Sequence, residues 1–305
     1  MKSLIWYNIK IPAVLKKYKA DIFISGSFCS LITKIPQILI APDISITQHA
    51  SVVKKQSLLF YKKFTPRFLK KTKTIIVFSA FQKAEIIKQY KTDADKIEVI
   101  YNGVNENFKP IHIEEREKIK DKYAAGNEYF IYTGEIGSNK NLLNLLKAFS
   151  AFKKRQKSSM QLLIAGNPGW EYEKFSEILR LFRFKEDVQI LENPSLEELI
   201  KVTAAAYAMV YPSLSEGFAT QPFQAMKSSI PVITSSTGAM PEIVADAALY
   251  ADAENFKDIA IKMMLLFKDE NLRKALIERG TIQVKKYNWD SAAVLVWKSI
   301  EKTLL

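Results

Sequence analysis

Along the chain, short runs of apolar, often β-branched residues alternate with longer stretches whose apolar positions recur every three or four residues. Four runs come early, at 21–25 (DIFIS), 38–41 (ILIA), 74–79 (TIIVFS) and 97–101 (IEVIY). Six more follow, at 129–133 (YFIYT), 161–165 (QLLIA), 188–191, 209–211, 232–234 and 249–250. Their length and β-branching predict strands. The runs are apolar throughout rather than at every second position, so both faces are expected to be covered. With helical stretches between them, the pattern predicts an α/β protein of parallel sheets. Over 141–153, Leu142, Leu145, Leu146 and Phe149 fall on one helical face. Ser195 followed by Glu198 predicts a capping box at the start of a helix over 196–206. A further helix is expected over 221–228. The segment 287–303 reads as amphipathic, with Trp289, Ala292, Val296, Trp297 and Ile300 apolar.

Residues 102–127 interrupt this pattern with polar and charged positions. Asn102-Gly103 suits a turn. Lys109-Pro110 begins a linker, and 114–122 reads as a solvated helix. The predicted organisation is a first domain over 1–108, a second over 109–286, and a helix over 287–305 packing back toward the first. A length of 305 residues also favours two cores over one.

Composition narrows the class. Hydrophobic content of 48% and charged content of 25% are ordinary for a soluble globular protein. The single cysteine, Cys29, excludes an intramolecular disulfide and fits a reducing compartment. Residues 1–11 lack the apolar core and cleavage site of a signal peptide, and no run reaches membrane-spanning length. The net charge of +13 is uneven: residues 1–115 carry 19 Lys/Arg against 9 Asp/Glu. That basic surface suits anionic lipid or phosphate, and equally suits simple solubility. Trp6, Ile9, Val14 and Leu15 interleave with Lys10, Lys16, Lys17 and Lys19, which reads as an interfacial or a packed surface helix, interrupted by Pro12. No helix-turn-helix, RNP or zinc-ligand pattern supports nucleic-acid binding. Asp93-Ala94-Asp95 precedes a strand rather than following one, so it reads as a loop and not as a metal motif. With His49 and His112 isolated, no metal set is visible.

Candidate chemistry gathers after strands of the second half. Residues 134–141 (GEIGSNKN) follow one strand and precede a helix, with Gly134 freeing the backbone and Lys140 adding charge at a helix start. Alone, this is also an ordinary βα turn. Gly166-Asn167-Pro168-Gly169 repeats the arrangement after the next strand. The loop 212–221 carries one acid, Glu216. Its carboxylate suits sugar hydroxyls or positive charge developing at an anomeric carbon. The first N–H groups of helix 221–228 suit a diphosphate, and Gln224 one turn in suits a ribose hydroxyl.

The run YPSLSEGFATQPFQAM at 211–226 resembles the PS-x-x-EGFGLP-x-x-EAM signature of glycosyltransferase family 4, retaining enzymes of GT-B fold with mannosyltransferase-like bacterial members. Other pieces follow in order: Ile76–Gln82, Asn102-Gly103-Val104, Tyr132-Thr133-Gly134 with Lys140-Asn141, Leu163–Gly166, Pro231-Val232-Ile233, and Pro241-Glu242-Ile243 with Asp246-Ala247-Ala248. The resemblance implies two Rossmann-like domains facing a cleft. It implies hexose transfer, with mannose an example, from a UDP- or GDP-sugar to a glycan or lipid-linked acceptor, without a metal or other cofactor. By the same resemblance Glu216 contacts the donor sugar and Lys140 neutralises its phosphates. Gly134, Glu135, Gly166, Asn167, Ser213, Gly217, Phe218, Ala219, Thr220 and Gln224 line the donor site, and Asp43, His49 and Asn102 lie on the acceptor side. The implied setting is cytoplasmic polysaccharide assembly, peripheral at the inner membrane face. Departures are Gln224 where the family has its second glutamate, Glu135 where many members have arginine, and Pro42-Asp43 where many have His-Asp. By the same resemblance the first domain is expected to lack the family's first strands, through truncation of the sequence, completion by a partner, or natural reduction of the domain. An alternative is a degenerate GT-B scaffold that binds without turnover.

Overall fold

The computed structural model describes residues 5–41, 55–137, 140–169 and 171–305, apart from the side chains of 55–58. The chain forms two units, Met1–Gly103 with Tyr287–Leu305, and Val104–Lys286. In the first, a π-helical turn Trp6–Lys10 runs into α1 (Ile11–Lys17), followed by β1 (Phe23–Ser25) and β2 (Gln37–Ile40). Then come α2 (Lys55–Lys71), β3 (Thr74–Val77), α3 (Ala80–Tyr90) and β4 (Ile97–Val99). The four strands pair in parallel in the order β1-β2-β3-β4.

Successive residues of β2 and β3 point to opposite faces. Leu39, Ile75 and Val77 join Phe68, Leu69 and Ile86 in one core, while Ile38 and Ile76 join Ile100 and Ala292 in another. Each such side chain contributes about 1.5–3 kcal/mol by leaving water. Cys29 lies in the first core, where burial pushes its thiol pKa up and leaves it a poor nucleophile.

The second unit begins with α4 (Ile113–Ala124), β5 (Tyr129–Thr133), α5 (Leu142–Gln156) and β6 (Gln161–Gly166). It continues with α6 (Tyr172–Arg180), β7 (Val188–Glu192), α7 (Leu196–Ala204), β8 (Ala208–Tyr211) and α8 (Gln221–Lys227). β9 (Val232–Ser235), α9 (Met240–Val244), β10 (Ala248–Ala251), α10 (Phe256–Lys268) and α11 (Glu270–Val284) complete it. Its six parallel strands run β10-β9-β8-β5-β6-β7. The chain therefore winds outward from β5 in one direction, returns, and winds outward from β8 in the other. β5 and β8 pair directly, through Phe130 with Ala208 and Ile131 with Met209. Such a reversal leaves a crevice beyond the carboxyl ends of the two strands, where ligands bind in open α/β sheets.

The last helix, α12 (Trp289–Leu304), belongs to the first unit. Its inward face is Ala292, Val296 and Ile300. Trp289 and Trp297, read from the sequence as part of that apolar face, are exposed. Two further expectations are corrected. Pro12 does not interrupt the first helix: it sits in the first turn of α1, where its missing N–H costs nothing. The helix expected to be solvated, α4, buries Ile119, Lys120 and Ala124, and Lys120 bonds Glu117 and Glu128 at 2.9 and 2.6 Å. Asp93-Ala94-Asp95 enters a short turn before β4, with the Asp93 carboxylate accepting from the Asp95 N–H.

α12 is also tied to β4 by ionic contacts. Lys302 donates to Glu98 at 2.8 Å, and Ser299 donates to the same carboxylate. Burial would raise the Glu98 pKa, but these two hydrogen bonds outweigh it and hold it below its usual value. A carboxyl with a lowered folded-state pKa stabilises the fold above the unfolded value and loses that contribution as pH falls through the folded one. The Tm advantage of wild type over Glu98→Gln is therefore expected to be full at neutral pH. It should shrink on acidification below about pH 4.3, the usual glutamate value. A pH-independent Tm difference would contradict this.

Candidate functional site

Two glycine turns build one wall of the site. Gly134 follows β5 directly at φ +138°, outside the range ordinary residues favour. Its N–H donates to Ala165 O at 3.0 Å. Gly166 ends β6 so close by that a Cβ there would lie 1.6 Å from the Gly134 carbonyl oxygen. The turns then zip together: Ile136 N–H donates to Asn167 O at 2.8 Å and Gly169 N–H to Ile136 O at 3.0 Å. The Glu135 carboxylate lies across Gly169, where a Cβ would approach its Oε1 to 2.1 Å.

Beside this wall is a cavity of about 650 Å³. Gly134, Glu135, Gly166, Asn167 and Gly169 line it, with Gln221 and Gln224 from α8 and Leu196 and Leu199 from α7. Thr133 also lines it, and its buried hydroxyl has no hydrogen-bond partner among the described residues. A buried hydroxyl left so costs about 1–3 kcal/mol, which a ligand group can recover.

Glu216 occupies the loop after β8 and is 7% exposed. Three donors converge on its Oε1: Lys140 Nζ at 2.7 Å, Ser213 Oγ at 2.7 Å and the Tyr211 hydroxyl at 3.1 Å. The backbone beneath it is fixed by Gly238, at φ +63°, where a Cβ would lie 2.6 Å from Glu216 O, and by the Ala239 N–H bonded to that oxygen at 2.9 Å. Tyr211 stacks on Tyr132, with ring centres 5.7 Å apart. The Tyr132 hydroxyl donates to Glu135 O at 3.0 Å, which links the carboxylate cluster to the glycine wall. Burial, with the nearby Glu216 and Glu135 carboxylates, pushes the Tyr132 pKa well up, so its hydroxyl stays a donor.

Asn141 positions Lys140. It has φ +60°, which asparagine tolerates, and its Nδ2 donates to Pro212 O at 2.8 Å and Ala253 O at 2.7 Å. It thus ties the turn after β5 to the loop that carries Glu216. Asn141→Ala would strand the buried Pro212 carbonyl, leave the Ala253 carbonyl only the Asn144 Nδ2 at 3.1 Å, and force alanine into a left-handed conformation. A loss of about 2–4 kcal/mol in chemical denaturation is expected. A loss below about 0.5 kcal/mol would refute the tie.

The structure thus brings together Glu216, Lys140 and Ser213, and around the cavity Gly134, Glu135, Gly166, Asn167 and Gln224. Gly217 is buried, and Phe218 packs on Phe223 with ring centres 5.6 Å apart. Ala219 is buried, and Thr220 is the N-cap residue of α8. The diphosphate reading of that helix is narrowed: α8 has seven residues, Pro222 in its first turn has no N–H, and the Gln224 N–H bonds Thr220 O. Asn102 belongs to the first unit. Asp43 and His49 lie outside the described residues. Sequence reasoning quoted Thr133, Tyr132, Tyr211, Asn141 and Gln221 within longer runs but named none of them as a site residue. For Thr133 and Tyr211 a signal existed, since each ends a strand at the edge already suspected.

The segment 114–283, which contains the whole constellation, matches the family model of glycosyl transferases group 1. The chain belongs to that family. Residues 2–108 match the model of glycosyltransferase family 4. Among similar sequences, the O-antigen chain mannosyltransferase B of Escherichia coli is 28% identical over 82% of this chain and 66% of its own length. The O-antigen chain mannosyltransferase RfbU of Salmonella typhimurium is 32% identical over 78% of this chain and 63% of its own. This family member therefore spans about two thirds or less of those relatives. Among solved structures, a Rickettsia africae glycosyltransferase superposes with a TM-score of 0.79 at 20% identity, over 99% of this chain and 81% of the other. Anabaena HepE in complex with UDP-glucose gives 0.80 at 15%, over 96% and 81%. The fold of this group 1 member is accordingly GT-B, built on two parallel Rossmann-like sheets.

Proposed function

We propose that this chain is a retaining hexosyltransferase of polysaccharide synthesis that takes its sugar from a nucleotide diphosphate donor. The carrying observation is the Lys140–Glu216 pair beyond the carboxyl ends of β5 and β8, linked to the cavity wall through Tyr211, Tyr132 and Glu135. The nucleotide occupies the cavity, with the bare backbone of Gly134 and Gly166 against it and Gln224 or the unpartnered Thr133 hydroxyl on a ribose or phosphate oxygen. The diphosphate draws Lys140 from Glu216. Lys140 then supplies the positive charge that a bound metal ion supplies at other phosphate sites. Glu216, so released, accepts hydrogen bonds from the sugar and stabilises charge developing at its anomeric carbon. The departing phosphate oxygen takes the acceptor's proton on the same face, so configuration is retained.

The relatives' names favour mannose as the sugar and a surface glycan as the product. The UDP-glucose complex of HepE supports a sugar nucleotide as donor. A membrane-facing acceptor also fits the first unit, where Trp6, Ile9 and Val14 stand exposed beside Lys10, Lys16 and Lys17. Flotation with anionic but not neutral vesicles tests that part.

A second reading, a scaffold that binds donor without turnover, is favoured by one feature: Gln224 lines the cavity where the family has a carboxylate. Calorimetry with UDP-glucose and GDP-mannose, followed by transfer of labelled hexose to glycan acceptors, separates the two. Binding with turnover supports the transferase, and binding alone supports the scaffold. If neither donor binds, the cavity is not a donor site.

A further inference from the structure

The three donors that meet at Glu216 Oε1 differ in how firmly each is itself held. The Lys140 ammonium ends a flexible, partly exposed stem. The Ser213 hydroxyl turns about one side-chain bond with three staggered positions. The Tyr211 hydroxyl stands at the end of a rigid ring and moves only if the ring moves. That ring stacks on Tyr132, with planes 7° apart and centres 5.7 Å apart, and both rings are buried. Tyr132 is pinned in turn, since its hydroxyl donates to Glu135 O at 3.0 Å. The Tyr211 backbone is fixed by the neighbouring strand: β8 pairs Tyr211 with Thr234 of β9, and Thr234 Oγ1 donates to the Tyr211 carbonyl at 3.0 Å.

Resting on the donor-site reading above, we propose that Tyr211 is a positioning residue whose hydroxyl keeps the Glu216 carboxylate aimed once the donor diphosphate has drawn Lys140 away. The ionic partner leaves at the moment the carboxylate must face the anomeric carbon. Two hydroxyls then remain, and the serine alone would let the carboxylate swing with its own rotamer. The phenol anchors one carboxylate oxygen, which sets the direction of the other. A misplacement of about 1 Å costs a reacting geometry about 10²-fold, so a fixed anchor matters more here than an additional bond. The stacked pair also holds the wall that receives the nucleotide and the carboxylate that meets the sugar to one rigid unit.

The test is donor release from UDP-glucose and GDP-mannose by the full chain, at varied donor concentration. Tyr211→Phe keeps the ring and the stack and removes only the oxygen. Its kcat is expected to fall about 10–100-fold, the loss of one hydrogen bond to a charged group, with the donor KM within about twofold of wild type. In the Glu216→Ala background the same change should cost no more than about twofold, because the group it positions is gone. A merely structural role would carry its cost into that background or move KM. An unchanged kcat in Tyr211→Phe, or an equal loss with and without Glu216, overturns the positioning role while the donor-site reading stands. If wild type turns over neither donor, the transferase reading falls and this inference with it. A second pair of variants is independent of how Tyr211→Phe folds. Tyr132→Phe and Tyr132→Leu both lose the bond to Glu135 O, and only the leucine loses the stack. The leucine variant should have a kcat at least about threefold below that of the phenylalanine variant, and equal values would show that the stack does not hold the anchor.

Discussion

Glu216→Ala is expected to lower hexose transfer by about 10²–10³-fold while the second unit remains folded, the range seen when one preorganised transition-state contact is removed. The expectation follows from how the carboxylate is held. It is nearly buried, and three donors fix one of its oxygens: an ammonium, a serine hydroxyl and a tyrosine hydroxyl. When the diphosphate draws Lys140 away, the Ser213 and Tyr211 hydroxyls still hold the carboxylate, so it is preorganised for the charge that develops. The loss should fall on kcat more than on KM, because the charge at the anomeric carbon exists only in the transition state. Stability should fall by about 1–3 kcal/mol, since Lys140, Ser213 and Tyr211 lose their shared acceptor. Lys140 is 22% exposed and can turn to water, which keeps the cost at the lower end. Glu216→Gln separates charge from shape: it keeps an acceptor for the hydroxyls and removes the ion pair, and transfer should fall nearly as far as in the alanine variant. A donor-release assay with purified variants, alongside a thermal melt, checks both. Unchanged turnover in a folded Glu216→Ala protein would sink the assignment.

Gly166→Ala should abolish nucleotide binding and destabilise the second unit by about 3 kcal/mol or more, the upper end for overpacking. The added methyl would sit 1.6 Å from the Gly134 carbonyl oxygen and 2.7 Å from its carbonyl carbon. Those are backbone atoms at the end of a central strand, so no rotamer change relieves the clash. Either the turn after β5 or the turn after β6 must move. Both line the cavity, and the two are zipped by the Ile136–Asn167 and Gly169–Ile136 hydrogen bonds. Gly26→Ala is the control: nothing lies within 4 Å of a Cβ there, and the stability change should stay within about 0.5 kcal/mol. A Gly166→Ala protein that melts and binds UDP like wild type would show that the two turns are not the rigid wall described.

Much of this architecture was readable in advance, for local reasons. The strand β5 was delimited from the run YFIYT, and the Ser195–Glu198 capping box was recognised from its spacing. Both depend on neighbours within a few positions. Errors arose where a residue's meaning depends on what lies across from it. Lys120 reads as solvent-facing until Glu128 is brought beside it. Trp297 reads as core until α12 docks through Ala292, Val296 and Ile300 instead. Pro12 reads as a breaker unless the helix is seen to begin its regular α section there. In the candidate site, Glu216, Lys140 and the glycines were found from type and position. Tyr132, Asn141 and Thr133 were not, since a tyrosine, asparagine or threonine at a strand end has many ordinary explanations.

By itself, then, the sequence determined the two sets of parallel strands, the turns that end β5 and β6 in glycine, and the presence of one acid after β8. Periodicity, chain stiffness and turn chemistry act over a few residues and are written locally. Only the tertiary structure decided that Lys140 and Glu216, 76 positions apart, share a hydrogen bond. It also decided that Asn141 clamps two distant carbonyls and that Glu135 lies across Gly169. The physical reason is the strand order. Reversing the winding at β5 and β8 puts the ends of two strands side by side that the chain separates by three helices and two other strands, and their side chains meet only after that pairing forms.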